Sequence, residues 1–140
     1  MAKLKLDFEI EIDFFLLGIS CHLPSYRFAH ILNNLIAIDL ERKEDLDLKL
    51  SKNNDKGYFT FYQYDEEESY TTMHLIGNRC EKGYFAAELK QMDYFLQLWL
   101  PNSEEEELKV IKQKILSCPQ VIACMEVDAN NLKSKNNFLF

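Results

Sequence analysis

From Leu4 to Ile12 the chain alternates strictly, with Leu4, Leu6, Phe8, Ile10 and Ile12 set against Lys5, Asp7, Glu9 and Glu11. A period of two with charge on one side predicts a half-buried strand. From Phe14 to Ile19 both sides become apolar, so either the strand enters a fully covered region or a bulge shifts its register. Gly18 fits a close approach of another segment to the backbone. Pro24 and Ser25 then mark a helix start, with Ser25 as the expected N-cap. Phe28, Ile31, Leu32, Leu35 and Ile36 recur at helical spacing and form one apolar face. His30, Asn33 and Asn34 fall mainly off that face, which places His30 in solvent.

Alternation returns at residues 45–50, where Leu46, Leu48 and Leu50 share a side, and again in the aromatic run 58–64 and in 70–76. The turn around Asn53–Gly57 and the acidic turn Asp65–Glu68 join these three strands into an antiparallel meander. Consecutive carboxylates at a hairpin tip face water, and the acidic turn is read that way rather than as a cation site. After the polar break 77–83, residues 93–100 predict a strand with Tyr94, Leu96, Leu98 and Leu100 on one face and Phe95, Gln97 and Trp99 on the other. Ser103 with Glu106 makes a capping box, and acids at 104–107 suit the start of a helix over 104–117. Leu108, Ile111, Lys112 and Ile115 lie along its inner stripe. Cys118-Pro119-Gln120 ends the helix, residues 121–127 predict a strand, and the polar tail closes on Phe138, Leu139 and Phe140, which should dock on something.

The order β–α–β–β–β–β–α–β predicts an α+β fold: a two-layer sandwich with a mainly antiparallel sheet of about six strands and two helices on one face. The unit spanning 93–127 is short enough for a right-handed crossover, which makes the C-terminal half ferredoxin-like, a shape shared by ACT-type regulatory domains. At 140 residues and 47% hydrophobic content, residues 1–140 suffice for a single domain with its own core.

The net charge of −7 argues against nucleic acid, whose phosphates are bound by clustered Lys and Arg. No apolar run is long enough for a membrane helix, and the charged N-terminus is unlike a signal peptide. Cys21, Cys80, Cys118 and Cys124 have no metal-ligand spacing with one another or with His22, His30 and His74. Reduced thiols in a cytoplasmic protein, with no metal and no cofactor, are the expectation. No phosphate-binding glycine loop or nucleophile-elbow motif is present.

Two clusters carry candidate chemistry. Glu88 and Asp93, with Tyr94 beside them, are a candidate carboxylate pair for acid–base work; the favoured reading is that Glu88 accepts backbone N–H groups in the 77–92 connection and Asp93 anchors the strand start. His22, Tyr26 and Arg27 sit at the strand-to-helix junction, where helix N–H groups favour anions. Cys21 and His22, adjacent on extended chain, point to opposite sides and would not serve each other. Arg27 is expected to pair with Glu88 or Asp93, which would tie the two clusters together.

The segment Glu88-Leu89-Lys90-Gln91-Met92-Asp93-Tyr94 has the spacing Glu-x-x-x-apolar-Asp-Tyr, and it resembles the signature of the uncharacterised bacterial IPExxxVDY family. Residues 17–27 and Asp39-Leu40-Glu41-Arg42 look like the same family. Ala86 and Ala87 stand where that signature has Ile and Pro, and Met92 stands for its Val. The resemblance implies a bacterial protein but no reaction. Apolar residues on both strand faces, with two helices to cover them, make a protein-association domain, a homodimer or an adaptor for another protein, the leading expectation. The alternative is an ACT-like small-ligand module with its site between residues 20–27 and 77–94, lined by Arg27, Arg79 and Tyr94. The third is an enzyme using Glu88 and Asp93.

Overall fold

The computed structural model describes residues 14–50, 55–100 and 105–140. The alternating run 4–12, the turn residues Asn53 and Asn54, and Ser103 of the expected capping box lie outside them. Eight strands and two helices follow in order: β1 (Phe15–Cys21), α1 (Ser25–Ile36), β2 (Glu41–Lys49), β3 (Lys56–Glu66), β4 (Thr71–Gly77), β5 (Arg79–Cys80), β6 (Gly83–Tyr84), β7 (Tyr94–Trp99), α2 (Glu105–Leu116) and β8 (Val121–Glu126). Six strands form one sheet in the order β2-β3-β4-β7-β1-β8, every neighbour antiparallel. The architecture is the expected α+β sandwich. β7 and β8 are each antiparallel to β1 between them and so run parallel to each other, the split β-α-β arrangement of a ferredoxin-like half.

Two local differences have physical causes. β2 begins at Glu41 rather than Asp45, because its pairing with β3 shifts register between Lys43 and Leu46, which breaks the alternation a strand is recognised by. The N-cap of α1 is Pro24, not Ser25. Pro24 is fixed in an extended conformation, and its carbonyl accepts from the N–H groups of Arg27 and Phe28 at 3.1 and 3.0 Å. Ser25 is thereby the first helical residue, and its hydroxyl lies 3.4 Å from that of Tyr62. Asn33, although off the apolar face, has a structural role. Its carboxamide oxygen accepts from the N–H of Leu40 at 2.7 Å and steers the chain into β2.

Both helices cover one sheet face. Phe28 and Leu32 of α1 and Leu108, Ile111 and Ile115 of α2 are buried against Leu17, Ile19, Leu75, Leu96 and Leu98. The opposite face is also apolar, as the sequence shows, and the chain covers much of it itself. Phe85, Ala86 and Met92 from the β4–β7 connection, and Ala129 and Phe138 from the tail, pack on Phe14, Leu16, Phe59, Phe61, Ile76 and Phe95. The ring of Phe138 stands edge-on to Phe85 and Phe95, with centroids 5.0 and 5.3 Å away. The close approach anticipated at Gly18 is this cover, since a Cβ there would lie 2.9 Å from Sδ of Met92.

Candidate functional site at the β1–α1 junction

The connection from β4 to β7 is irregular, yet it is held by one side chain. Asn78 is fully buried. Its carboxamide oxygen accepts from the N–H of Ala86 at 2.8 Å, and its amide donates to the carbonyls of Leu89 and Met92 at 2.9 and 2.8 Å. Its backbone N–H donates to the Asp93 carbonyl and its own carbonyl accepts from Phe85. Buried polar groups need partners, so a single asparagine here replaces a regular ladder for the loop. Sequence reasoning passed over Asn78, because a Gly-Asn pair after a strand looks like an ordinary turn.

The loop delivers Asp93 to the C-terminal end of β1. One oxygen of Asp93 accepts the Cys21 N–H at 2.8 Å and lies 3.4 Å from the Ser20 hydroxyl. The other oxygen meets Nη1 of Arg79 at 3.1 Å. Arg79 also donates from Nη2 to the Lys90 carbonyl at 3.2 Å. Tyr94 follows on β7, its hydroxyl donating to the Leu23 carbonyl and its ring centroid 4.9 Å from that of Phe28. Burial, with the neighbouring Cys21 and Asp93, pushes its phenol far above the ordinary value. Burial likewise raises the Cys21 thiol, only partly offset by a backbone hydrogen bond at Leu23. Neither group is prepared as a nucleophile.

The expected Arg27 pairing is overturned. Arg27 is exposed and makes no ion pair with Glu88 or Asp93; Arg79, which approaches from β5, takes that place. Nor do Glu88 and Asp93 share a partner. Glu88 turns to the tail, where Oε2 accepts the Ser134 N–H at 3.0 Å. Burial pushes its carboxyl up, but hydrogen bonding, the Ser134 N–H included, outweighs that and holds it below the usual glutamate value. Each carboxylate is engaged with a different part of the fold, one as the anchor of β7 and one as the clasp of the tail.

A cleft of about 350 Å³ opens where these elements meet. His22 and Ser25 of the junction, Thr60 of β3, and Arg79, Asp93 and Tyr94 line it. Tyr26 is 67% exposed and lies outside the cleft, as does Arg27. Of the first-turn N–H groups of α1, that of Arg27 is taken by the Pro24 carbonyl, and the positive end of the helix dipole lies at the Ser25 side. Hydroxyls, the Arg79 guanidinium and helix N–H groups are all donors, so the cleft presents hydrogen-bond donors beside one carboxylate that is already occupied. Among the described residues, no three of His, Cys, Asp and Glu are placed to hold a metal ion. All four cysteines are free thiols, and no described helix is long and apolar enough to cross a membrane. No family model matches the chain, and no curated protein matches it.

Proposed function

We propose that this chain is a small-ligand-binding module whose cleft at the β1–α1 junction takes a small molecule through an oxyanion, a carboxylate or a phosphate. The observation that carries this reading is the convergence on one cleft of Arg79, Ser25, Thr60 and the start of α1. Donors from three separate elements around one small cavity are what an orienting polar subsite requires. Asp93 then acts by position: it holds Arg79 at the cleft and ties β1 to the connection. The catalytic reading loses ground, because the two carboxylates it would use are each committed elsewhere. Resemblance to the IPExxxVDY family and a cytoplasmic location remain parts of this proposal. Glu88, Asp93 and Tyr94 each cross-link distant segments, which would explain a recurring spacing on structural grounds alone, and four free thiols suit a reducing compartment.

Native mass spectrometry of the purified protein, followed by thermal shift with small carboxylates and phosphates, tests the reading. A ligand at a hundred times its Kd should raise Tm by about 8 °C, and Arg79→Met should abolish most of that rise. A bare chain that no small anion stabilises would sink it.

A second reading is favoured by the sheet edges. β2 is an edge protected by charge, with Glu41, Arg42, Lys43, Glu44 and Asp45 all exposed. β8 also ends the sheet among the described residues, but it exposes Ile122 and Met125, at 63% and 43%. Here the association expected from the sequence would be antiparallel pairing of β8 with β8 of a second copy. Sedimentation equilibrium should find a dimer that Ile122→Lys weakens at least about tenfold. A wild-type monomer at every concentration would exclude it.

A further inference from the structure

A second cavity, of about 540 Å³, lies on the opposite sheet face beyond the point where the tail stops covering it. We propose that this slot binds a quaternary ammonium group. The strand register builds it. Asp65 on β3 stands beside Thr72 on β4, which stands beside Trp99 on β7, so a carboxylate and an indole occupy the two ends of one cross-strand row. Their separation is about two strand spacings, roughly 10 Å, leaving room for a compact group between them. His74 stands in the adjoining row, between Gln63 and Gln97, with Phe61 one row further and Phe140 from the tail, their ring centroids 5.1 to 5.2 Å apart.

Three features set the chemistry. Aromatic faces next to a carboxylate favour a cation, through the ring quadrupole and direct charge attraction. His74 does not oppose this. Its Nδ1 lies 2.6 Å from the Gln97 oxygen, while the Gln97 amide donates to the Phe138 carbonyl at 2.8 Å, so Nδ1 carries a proton. Burial lowers the pKa of His74 below the ordinary histidine value, outweighing the Gln97 hydrogen bond and the charge of Asp65, so the ring is neutral near pH 7.

The kind of cation follows from how Asp65 is held. Its two oxygens already accept from Gln63 Nε2 at 2.6 Å and Thr72 Oγ1 at 2.8 Å. Each oxygen keeps a second lone pair and can accept from one ammonium N–H, but a primary ammonium loses three strong bonds to water and the aromatic lining replaces none of the others. A quaternary ammonium is weakly hydrated and needs only aromatic surface and a fixed negative charge. The acids that follow, Glu66 to Glu68, deepen the negative potential at this end of the sheet.

Trp99 is the single tryptophan of the chain, so its fluorescence reports the slot directly. Choline should change that fluorescence saturably. Its neutral isostere 3,3-dimethylbutan-1-ol should bind at least about tenfold more weakly, and Asp65→Asn, on an exposed hairpin, should weaken choline about fivefold or more without lowering Tm. Equal response to both compounds would mean a merely apolar groove, and no saturable response to choline would mean no site. Either result overturns the proposal, and neither bears on the cleft at the β1–α1 junction. The isostere comparison needs no variant, so the test stands even if Asp65→Asn folds poorly.

Discussion

Replacing Asn78 with alanine is expected to destabilise the protein by about 4 kcal/mol, since each buried backbone group left without its partner costs about 1–3 kcal/mol. The substitution removes the acceptor of the Ala86 N–H and the donor to the Leu89 and Met92 carbonyls, all inside the β4–β7 connection. For a chain of this size that corresponds to a fall in Tm of about 12 °C. Asn78→Asp should be at least as damaging, because it keeps the acceptor but sets a carboxylate against two carbonyls. The effect should reach the cleft as well, for the same loop carries Arg79 and places Asp93. Urea denaturation with both variants checks the prediction; a loss of less than about 1 kcal/mol would mean that water or local rearrangement replaces the asparagine.

Phe138→Ala is expected to cost about 3–4 kcal/mol, the range for a fully buried aromatic ring cut back to a methyl group. Phe138 fills the space between Phe14, Phe85 and Phe95, so its loss opens a cavity at the centre of the second core rather than at its rim. Phe140, two residues on, gives the internal control. It is 55% exposed, and Phe140→Ala should cost less than about 1 kcal/mol. Equal losses for the two would mean that the tail is held by its end and not by Phe138. Because the tail covers sheet residues that are otherwise apolar, Phe138→Ala should also increase binding of a hydrophobic dye before global unfolding.

The covered second face bears directly on function. In the sequence, Phe95 and Trp99 on one side of β7 and the leucines on the other leave two readings: a second cover, or an interface. The cover comes from the chain's least regular segments, 78–92 and 129–139, whose hydrophobic residues have no period to announce them. With much of that face covered, association rests on the exposed apolar residues of the β8 edge. Trp99, half-buried, lines the slot together with Phe140 of the tail.

The candidate residues divide in the same way. Asp93 and Tyr94 were legible as a pair at a strand start across from the strand-to-helix junction, but grouped with Glu88, and Arg79 only as a lining residue beside Arg27 and Tyr94. Which arginine pairs with Asp93 was not legible. The sequence points to Arg27, and only the two-strand hairpin β5–β6, which carries Arg79 to Asp93, decides otherwise. Ser25 and Thr60 entered the site without any signal of their own; a serine after a proline looks like a cap, and a threonine in an aromatic strand looks like packing.

What the sequence determined by itself was the local periodicity: six strands, two helices, their order, and hence the α+β sandwich. Period and capping act between residues a few positions apart, so the chain displays them directly. What only the tertiary structure decided was every contact between irregular segments and the sheet: Asn78 at the heart of the connection, Phe138 in the second core, Glu88 on the tail, and the cleft and the slot that remain between them. Those contacts join residues far apart in the chain, as Phe14 and Phe138 are. They are selected by packing and by the need to satisfy buried polar groups, and neither requirement leaves a repeating mark on the sequence.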